Sequence, residues 1–240
     1  MENKKQLIET VHHRIQRAAA CAGRSAEDIT LIAVSKMKSV NDIIAAYEAG
    51  VRHFGENRAE ELEQKSAALN DLKDLQWHFI GHLQSRQSMP IAKFAHCFHA
   101  IDRLKIANHL SRQLQELGHT LPVFIEVNVS GEQSKGGFDC ADWENSHDQR
   151  GAFLDVVKTI AVLPNLPVRG LMTMAPFNAP EADIRSVFRR LRQLSEWLNT
   201  ELPELDARAL SMGMSGDFEI AIEEGATHVR VGSAIFGGRR

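Results

Sequence analysis

Apolar positions along this chain follow two alternating rhythms. Over residues 4–22, Leu7, Ile8, Val11, Ile15, Ala18, Ala19 and Ala22 recur at three-to-four spacing, which predicts an opening amphipathic helix. From Ile29 onward, short apolar or β-branched runs take turns with helical patterns. The runs at 29–36, 52–57, 77–84, 97–102, 123–130, 168–175, 210–214 and 228–233 predict strands. Helices are predicted between them at 40–49, 57–69, 86–95, 103–117, 150–163, 181–200 and 216–225. Such alternation builds a parallel sheet from βαβ units. Eight near-equal units predict an α/β chain closed into a single (β/α)8 TIM barrel with an extra N-terminal helix. An open doubly wound sheet is the alternative, but no G-x-G-x-x-G turn follows the first strand. The polar, aperiodic stretch 138–150 (FDCADWENSHDQR) reads as an excursion before an outer helix.

Composition narrows the setting. With 240 residues and no Pro/Gly/Ser-rich linker, one domain over 1–240 is expected. The chain is 43% hydrophobic and 25% charged, and its net charge of −3 gives no pull toward nucleic acid or anionic membrane. Cys21, Cys97 and Cys140 are an odd, widely spaced set, which speaks against a disulfide framework and for a reducing compartment. The polar start MENKKQLIET and the lack of any membrane-length apolar run point to a cytoplasmic protein, and no long apolar patch announces a partner, so a monomer is expected.

In a barrel of this kind, active groups gather at the C-terminal ends of strands, and phosphates favour the turns after the last two. The candidates fall there. Lys36 closes ITLIAVSK, Asn57 closes the second run, and His82 and Gln84 close the third. Asn128 and Ser130 follow the fifth, LSMGMS (210–215) closes the seventh, and HVRVGS closes the eighth. Gly213 and Gly232 would let backbone N–H groups approach an anion, while Ser215 and Ser233 add hydroxyls. Ser215 is also a candidate N-cap of the following helix. The apolar run before Lys36 should bury its approach and set the amine at a pocket floor, where desolvation makes it a Schiff-base nucleophile. Lys38 should sit farther out, toward the rim. These parts suit an aldehyde carrying a phosphate, of which pyridoxal 5′-phosphate (PLP) is the obvious example.

Arg230 shares a strand face with Gly232 and could donate to the pyridine nitrogen of such a cofactor. An arginine there leaves the ring unprotonated and a poor electron sink. A surface pairing of Arg230 with Glu219, Glu223 or Glu224 is the competing reading. His78 and His82 are four apart, but on a strand that separates them by ~13 Å, too far for one metal ion. His82 is therefore expected in the pocket wall and His78 deep in the barrel. Met172, Met174, Met212 and Met214 are expected to fill the barrel, with Met212 and Met214 walling the ring.

The blocks LIAVSK, HFGEN, WHFIGHLQ, AIDRLKIA, EVNVSGEQSKGGF, GLMTMAP and LSMGMSGDFEIAIEEGATHVRVGSAIFGGR cover Ile29 to Arg239. Through them the chain resembles the pyridoxal phosphate homeostasis protein family, single-barrel proteins similar to the N-terminal domain of alanine racemase. That resemblance implies PLP held as a Schiff base on Lys36, its phosphate on Ser215, Gly232 and Ser233, and its pyridine nitrogen facing Arg230. Asn57, His82 and Met212 would line the pocket. The chain departs from the family's pattern at Ser39, where proline is common, at Arg86–Gln87, where Asn-Lys is frequent, and at Ser233, where threonine is usual.

The resemblance implies a role in intracellular vitamin B6 balance, with PLP passed to apo-enzymes and without robust catalysis. A racemase of the related type needs a tyrosine opposite the lysine. The only tyrosine, Tyr47, lies in a predicted outer helix. A PLP-dependent amino-acid racemase or deaminase of narrow scope is the second reading. A cofactor-free aldolase using Lys36 on a phosphorylated sugar is the third.

Overall fold

The computed structural model describes residues 4–238. Helix α1 (Lys4–Cys21) buries Ile8, Val11, Ile15, Ala18 and Ala19, the stripe its spacing sets. Strands β1 (Thr30–Val34), β2 (His53–Glu56), β3 (Gln76–Phe79), β4 (Cys97–Ile101) and β5 (Val123–Asn128) follow, with β7 (Val168–Met172), β8 (Ala209–Met214) and β9 (His228–Val231) completing the barrel. They run parallel in the order β4-β3-β2-β1-β9-β8-β7-β5, and a β4–β5 pairing closes the ring. The short β6 (Phe138–Asp139) pairs only with the end of β5 and belongs to the expected excursion. Arg190 ties that excursion down, with its guanidinium on Glu144 and on the carbonyls of Val129 and Ala141.

Helices α2 (Val40–Glu48), α3 (Ala59–Ala68), α4 (Ser88–Phe94), α5 (Leu104–Leu117), α6 (His147–Ala161), α7 (Glu181–Glu201), α8 (Phe218–Glu223) and α9 (Ser233–Phe236) complete the molecule. Ser39, the departure from proline, caps α2: its hydroxyl accepts from Asp42 N at 3.1 Å while Asp42 returns a bond to Ser39 N. The reciprocal pair satisfies two N–H groups that the helix start leaves open.

Two predicted strands end early. β1 stops at Val34 rather than Lys36, and β3 stops at Phe79 rather than Gln84. At the second, a Cβ on Gly81 would lie 2.3 Å from the Asn57 carbonyl oxygen, so this glycine lets the two strand ends cross in contact.

The barrel interior is polar and aromatic. His53, His78, His99, Ser211 and Arg230 bond to one another across it, and His99 stacks on Phe124 with centroids 4.4 Å apart. Met212, expected along the pocket wall, alternates with inward-facing Ser211 and so turns to the opposite face, fully buried in the apolar core. Among the described residues no helix is long and apolar enough to cross a membrane, and all three cysteines are free.

Candidate functional site

Lys36 sits in the turn that leaves β1 and is exposed. The expectation of a desolvated amine at a pocket floor is therefore corrected, because β1 ends two residues sooner and the side chain starts beyond the sheet. Its backbone, by contrast, is held on both sides. Ser35 N donates to Gly55 O at 2.9 Å, and the Ser35 hydroxyl donates to Glu56 Oε1 at 2.7 Å. Lys65, on the inner face of α3, donates to Ser35 O at 2.9 Å, Glu56 Oε1 at 2.8 Å and Glu61 Oε2 at 2.8 Å. Glu61 in turn accepts from Met37 N at 2.8 Å. Met37 needs this hold, since its φ of 60° is a left-handed conformation that side chains disfavour.

Glu56 is wholly buried, and that burial raises its carboxyl above the ordinary range against the pull of Lys65 and Ser35. Its Oε2 has no partner, as suits a carboxyl reluctant to ionise. Sequence reasoning missed this clamp. Its signal was a lone glutamate inside HFGEN, at a strand position too buried for an unpaired charge.

Across the β1–β9 pairing, Ile32 stands in register with Arg230, which brings the last strand beside the Lys36 turn. A Cβ on Gly232 would lie 3.3 Å from the Val34 Cβ, so glycine lets the β9–α9 turn press against β1. Two N–H groups of that turn converge on one hydroxyl, with Gly232 N and Ala234 N donating to Ser215 Oγ at 3.1 and 3.4 Å. Ser233 opens α9 and is exposed. Ser215, Gly232 and Ser233 are thus brought together as expected. Ser215 does not cap α8, however; Asp217 takes that position, and its Oδ1 accepts from Met214 N at 2.5 Å. Gly213 serves packing: φ is 93° and a Cβ would come within 2.6 Å of Ala221 Cβ on α8. Lys38 is half-buried and donates to Phe236 O at 3.0 Å.

Arg230 is 5% exposed and donates to Ser211 Oγ at 2.7 Å and Thr173 O at 3.0 Å. The surface pairing considered for it does not occur. Glu219 binds Arg14, while Glu223 and Glu224 bind Arg185, with Arg189 and Arg192 also on Glu224. Burial lowers the Arg230 guanidinium to about 10, against the opposing pull of Glu126 and Asp217. It stays a cation at neutral pH, and among the described residues no carboxylate is within hydrogen-bond or ion-pair contact of it.

Glu126, on β5, is the second residue that sequence reasoning passed over. It is 4% exposed, and among the described residues its side chain makes no hydrogen bond or ion pair. Burial and the charge of Asp102 push its carboxyl up to about 7, with Arg230 pulling the other way. A buried acid of this kind can hold a proton near neutrality.

Asn57 is half-buried just past β2, packed against the backbone of Gly81. His82 is an exposed rim residue, its Nδ1 2.7 Å from Asp102 Oδ2 and its Nε2 3.0 Å from Arg103 Nη1. It can meet an incoming ligand only at the mouth. Arg86, the rim departure, turns back onto Gln84 Oε1 at 3.1 Å. Asn128 and Ser130 shape the following loop, the amide oxygen accepting from Ser130 Oγ at 2.9 Å and Gly131 N at 3.0 Å.

Residues 8–240 match the family model described as alanine racemase, N-terminal domain. Among curated relatives, a pyridoxal phosphate homeostasis protein of Pseudomonas aeruginosa is 45% identical over 100% of this chain and 97% of its own. Its Escherichia coli K12 counterpart is 41% identical over 97% of this chain and 95% of its own. The chain belongs to the pyridoxal phosphate homeostasis protein family. Among solved structures, PipY of Synechococcus elongatus with PLP bound superposes with a TM-score of 0.80 at 34% identity, over 93% of this chain and all of that one, 100%. An alanine racemase of Clostridium difficile shares the fold at a TM-score of 0.70 and 14% identity, this chain spanning 57% of it.

Proposed function

We propose that this protein binds PLP at the C-terminal end of its barrel and keeps the reactive aldehyde sequestered for delivery to apo-enzymes. The observation that carries the reading is the convergence of the Lys36 turn, the Ser215–Gly232–Ala234 turn and Arg230 along the single β1–β9 seam. The parts fit the ligand. Lys36 offers an amine with no hydrogen bond or ion pair among the described residues. Ser215, Gly232 and Ser233 offer a turn that carries the hydroxyls and N–H groups a phosphate is bound by. Arg230 offers N–H donors to a ring nitrogen while lacking an acidic partner that could protonate it.

When bound, PLP supplies an electrophilic aldehyde and a conjugated ring; the chain's own residues bind, orient and shield it. Family names and a PLP-bound relative support this reading. Lys36 would take the aldehyde carbon, and the Lys65–Glu56–Glu61 clamp would fix the angle of approach by holding Ser35 and Met37. Sequestering rather than turnover is favoured by where Tyr47 lies. It sits on α2 with its hydroxyl on Asp74 and Arg52 over its ring at 4.0 Å, outside the barrel. A proton-transferring tyrosine opposite Lys36 is thereby missing from its face.

The decisive experiment is titration of the purified chain with PLP, followed by visible absorption and by borohydride reduction with peptide mapping. The expected result is a new absorption band and a pyridoxyl adduct at Lys36, both lost in Lys36→Ala. An adduct elsewhere, or no band, overturns the proposal. Incubation of the loaded protein with each proteinogenic amino acid tests sequestering. Racemisation or ammonia release on the order of 1 s⁻¹ would defeat it.

A further inference from the structure

A line of hydrogen bonds crosses the barrel interior from its N-terminal pole to Arg230. His53 Nδ1 meets His78 Nε2 at 2.9 Å, and His78 Nδ1 meets His99 Nε2 at 2.8 Å. His99 Nδ1 then meets Ser211 Oγ at 2.8 Å, and Ser211 Oγ accepts from Arg230 Nη1 at 2.7 Å. The line joins β2, β3, β4, β8 and β9, so it spans strands that are not neighbours in the sheet. His99 is fully buried and clamped against Phe124, and His78 is 5% exposed. His78 borders a cavity of ≈ 400 Å³ at the N-terminal pole, lined also by His96, Cys97, Arg169, Arg208 and His228 among others.

Burial lowers His78 and His99 well below the ordinary imidazole value, and burial lowers His53 as well. Each imidazole is then neutral at pH 7, with a single N–H. That condition restricts the line to two proton patterns. In one, every hydrogen points away from Arg230: Ser211 donates to His99 Nδ1, His99 Nε2–H to His78 Nδ1, and His78 Nε2–H to His53 Nδ1. In the other, every hydrogen points toward Ser211 and all three imidazoles carry Nδ1–H. A mixed pattern leaves one contact with two protons or with none. The buried cation of Arg230 repels hydrogens that point toward it, so it selects the first pattern.

The same contacts argue against a metal ion here. His78, Cys97 and His99 place ligand atoms within 4.8 Å of one another. Yet the two nitrogens share a proton at 2.8 Å. Ligands on one tetrahedral zinc, bound at about 2.0–2.1 Å, would stand about 3.3 Å apart.

We propose that Ser211, His99, His78 and His53 act as one tautomeric relay, poled by Arg230, in which His99 is a positioning residue for the cofactor. By fixing Ser211 as the acceptor for one arm of Arg230, while Thr173 O holds the other, the relay sets the orientation of the guanidinium that the ligand ring meets. This role rests on PLP binding, while the relay itself exists without it.

The test has two arms. In ligand-free, ¹⁵N-histidine-labelled full chain at pH 7, NMR should find His53, His78 and His99 all protonated on Nε2. An Nδ1–H tautomer or a mixture at any of the three overturns the relay, whatever becomes of PLP binding. In the second arm, His99→Phe keeps the stacked ring and removes the acceptor for Ser211, whereas His99→Asn restores an acceptor at the Nδ1 position. His99→Phe should weaken PLP binding about tenfold and shift the absorption band of the bound cofactor. His99→Asn should keep both near the parent values. Equal affinity and an unshifted band in His99→Phe, folded as judged by circular dichroism, overturn the positioning role. A parent chain that binds no PLP would instead defeat the proposed function and leave the first arm to judge the relay.

Discussion

Replacing Lys65 with methionine isolates the clamp behind the Lys36 turn. The substitution keeps an unbranched apolar stem as far as the Cε position but removes the ammonium that serves Ser35 O, Glu56 and Glu61 at 2.8–2.9 Å. Glu56 is 0% exposed, so its carboxylate would be left in the core with only the Ser35 hydroxyl. Breaking a buried pair from one side costs about 3–5 kcal/mol, against a total stability of about 5–15 kcal/mol for an ordinary domain. The loss must depend on pH. Glu56 already has a raised pKa in the fold, so its protonated form is favoured there, and the associated stability declines as pH rises through that value. Without Lys65 the pKa climbs further, and the penalty is larger at pH 8 than at pH 5, where the carboxyl can take up a proton. Urea unfolding at the two pH values, followed by fluorescence of the buried Trp77 and Trp143, measures both effects. Lys65→Met with Glu56→Gln should recover most of the loss, because the uncompensated charge is gone. A deficit below about 1 kcal/mol that is equal at both pH values would refute the reasoning.

Glu126→Gln should stabilise the chain above pH 7 and leave it unchanged near pH 4. Its carboxyl is raised to about 7, so the parent loses stability as pH climbs through that value, by up to about 3 kcal/mol at roughly 1.4 kcal/mol per unit. Parallel pH profiles for the two proteins in chemical denaturation would contradict this. Gly213→Ala should cost at least about 2 kcal/mol, since φ is 93° and the new Cβ would lie 2.6 Å from Ala221 Cβ. A thermal midpoint equal to the parent's would count against that account.

The barrel itself was legible because each strand carries its own apolar run and each helix its own stripe, as Ile8, Val11 and Ile15 show in α1. The meeting of Ser215 with the Gly232 turn was legible because both lie at the ends of the last two strands, which this architecture brings side by side. Three things lay outside a one-dimensional pattern. Exposure of Lys36 depends on where β1 stops, and a run that continues apolar to Val34 and ends in Ser35 gives no sign of the turn. His82 was drawn into a strand because WHFIGHLQ reads evenly, while the contact of Gly81 with Asn57 that breaks it is between strands. Histidines 53, 78 and 99 are far apart in sequence, and period-two alternation cannot say that closure brings them into one line. Met212 failed for a related reason, since alternation is fixed only once Ser211 is known to point inward.

The ring's pairing order carries a consequence for how the molecule comes into being. Strands neighbour one another in chain order except at one seam, where Thr30–Ala33 must meet His228–Val231. A nascent chain still awaiting that last strand has a bare edge along β1, and it also lacks the arginine and the glycine turn. The residues that the proposed site draws from β9 therefore come into place only with the strand that closes the ring.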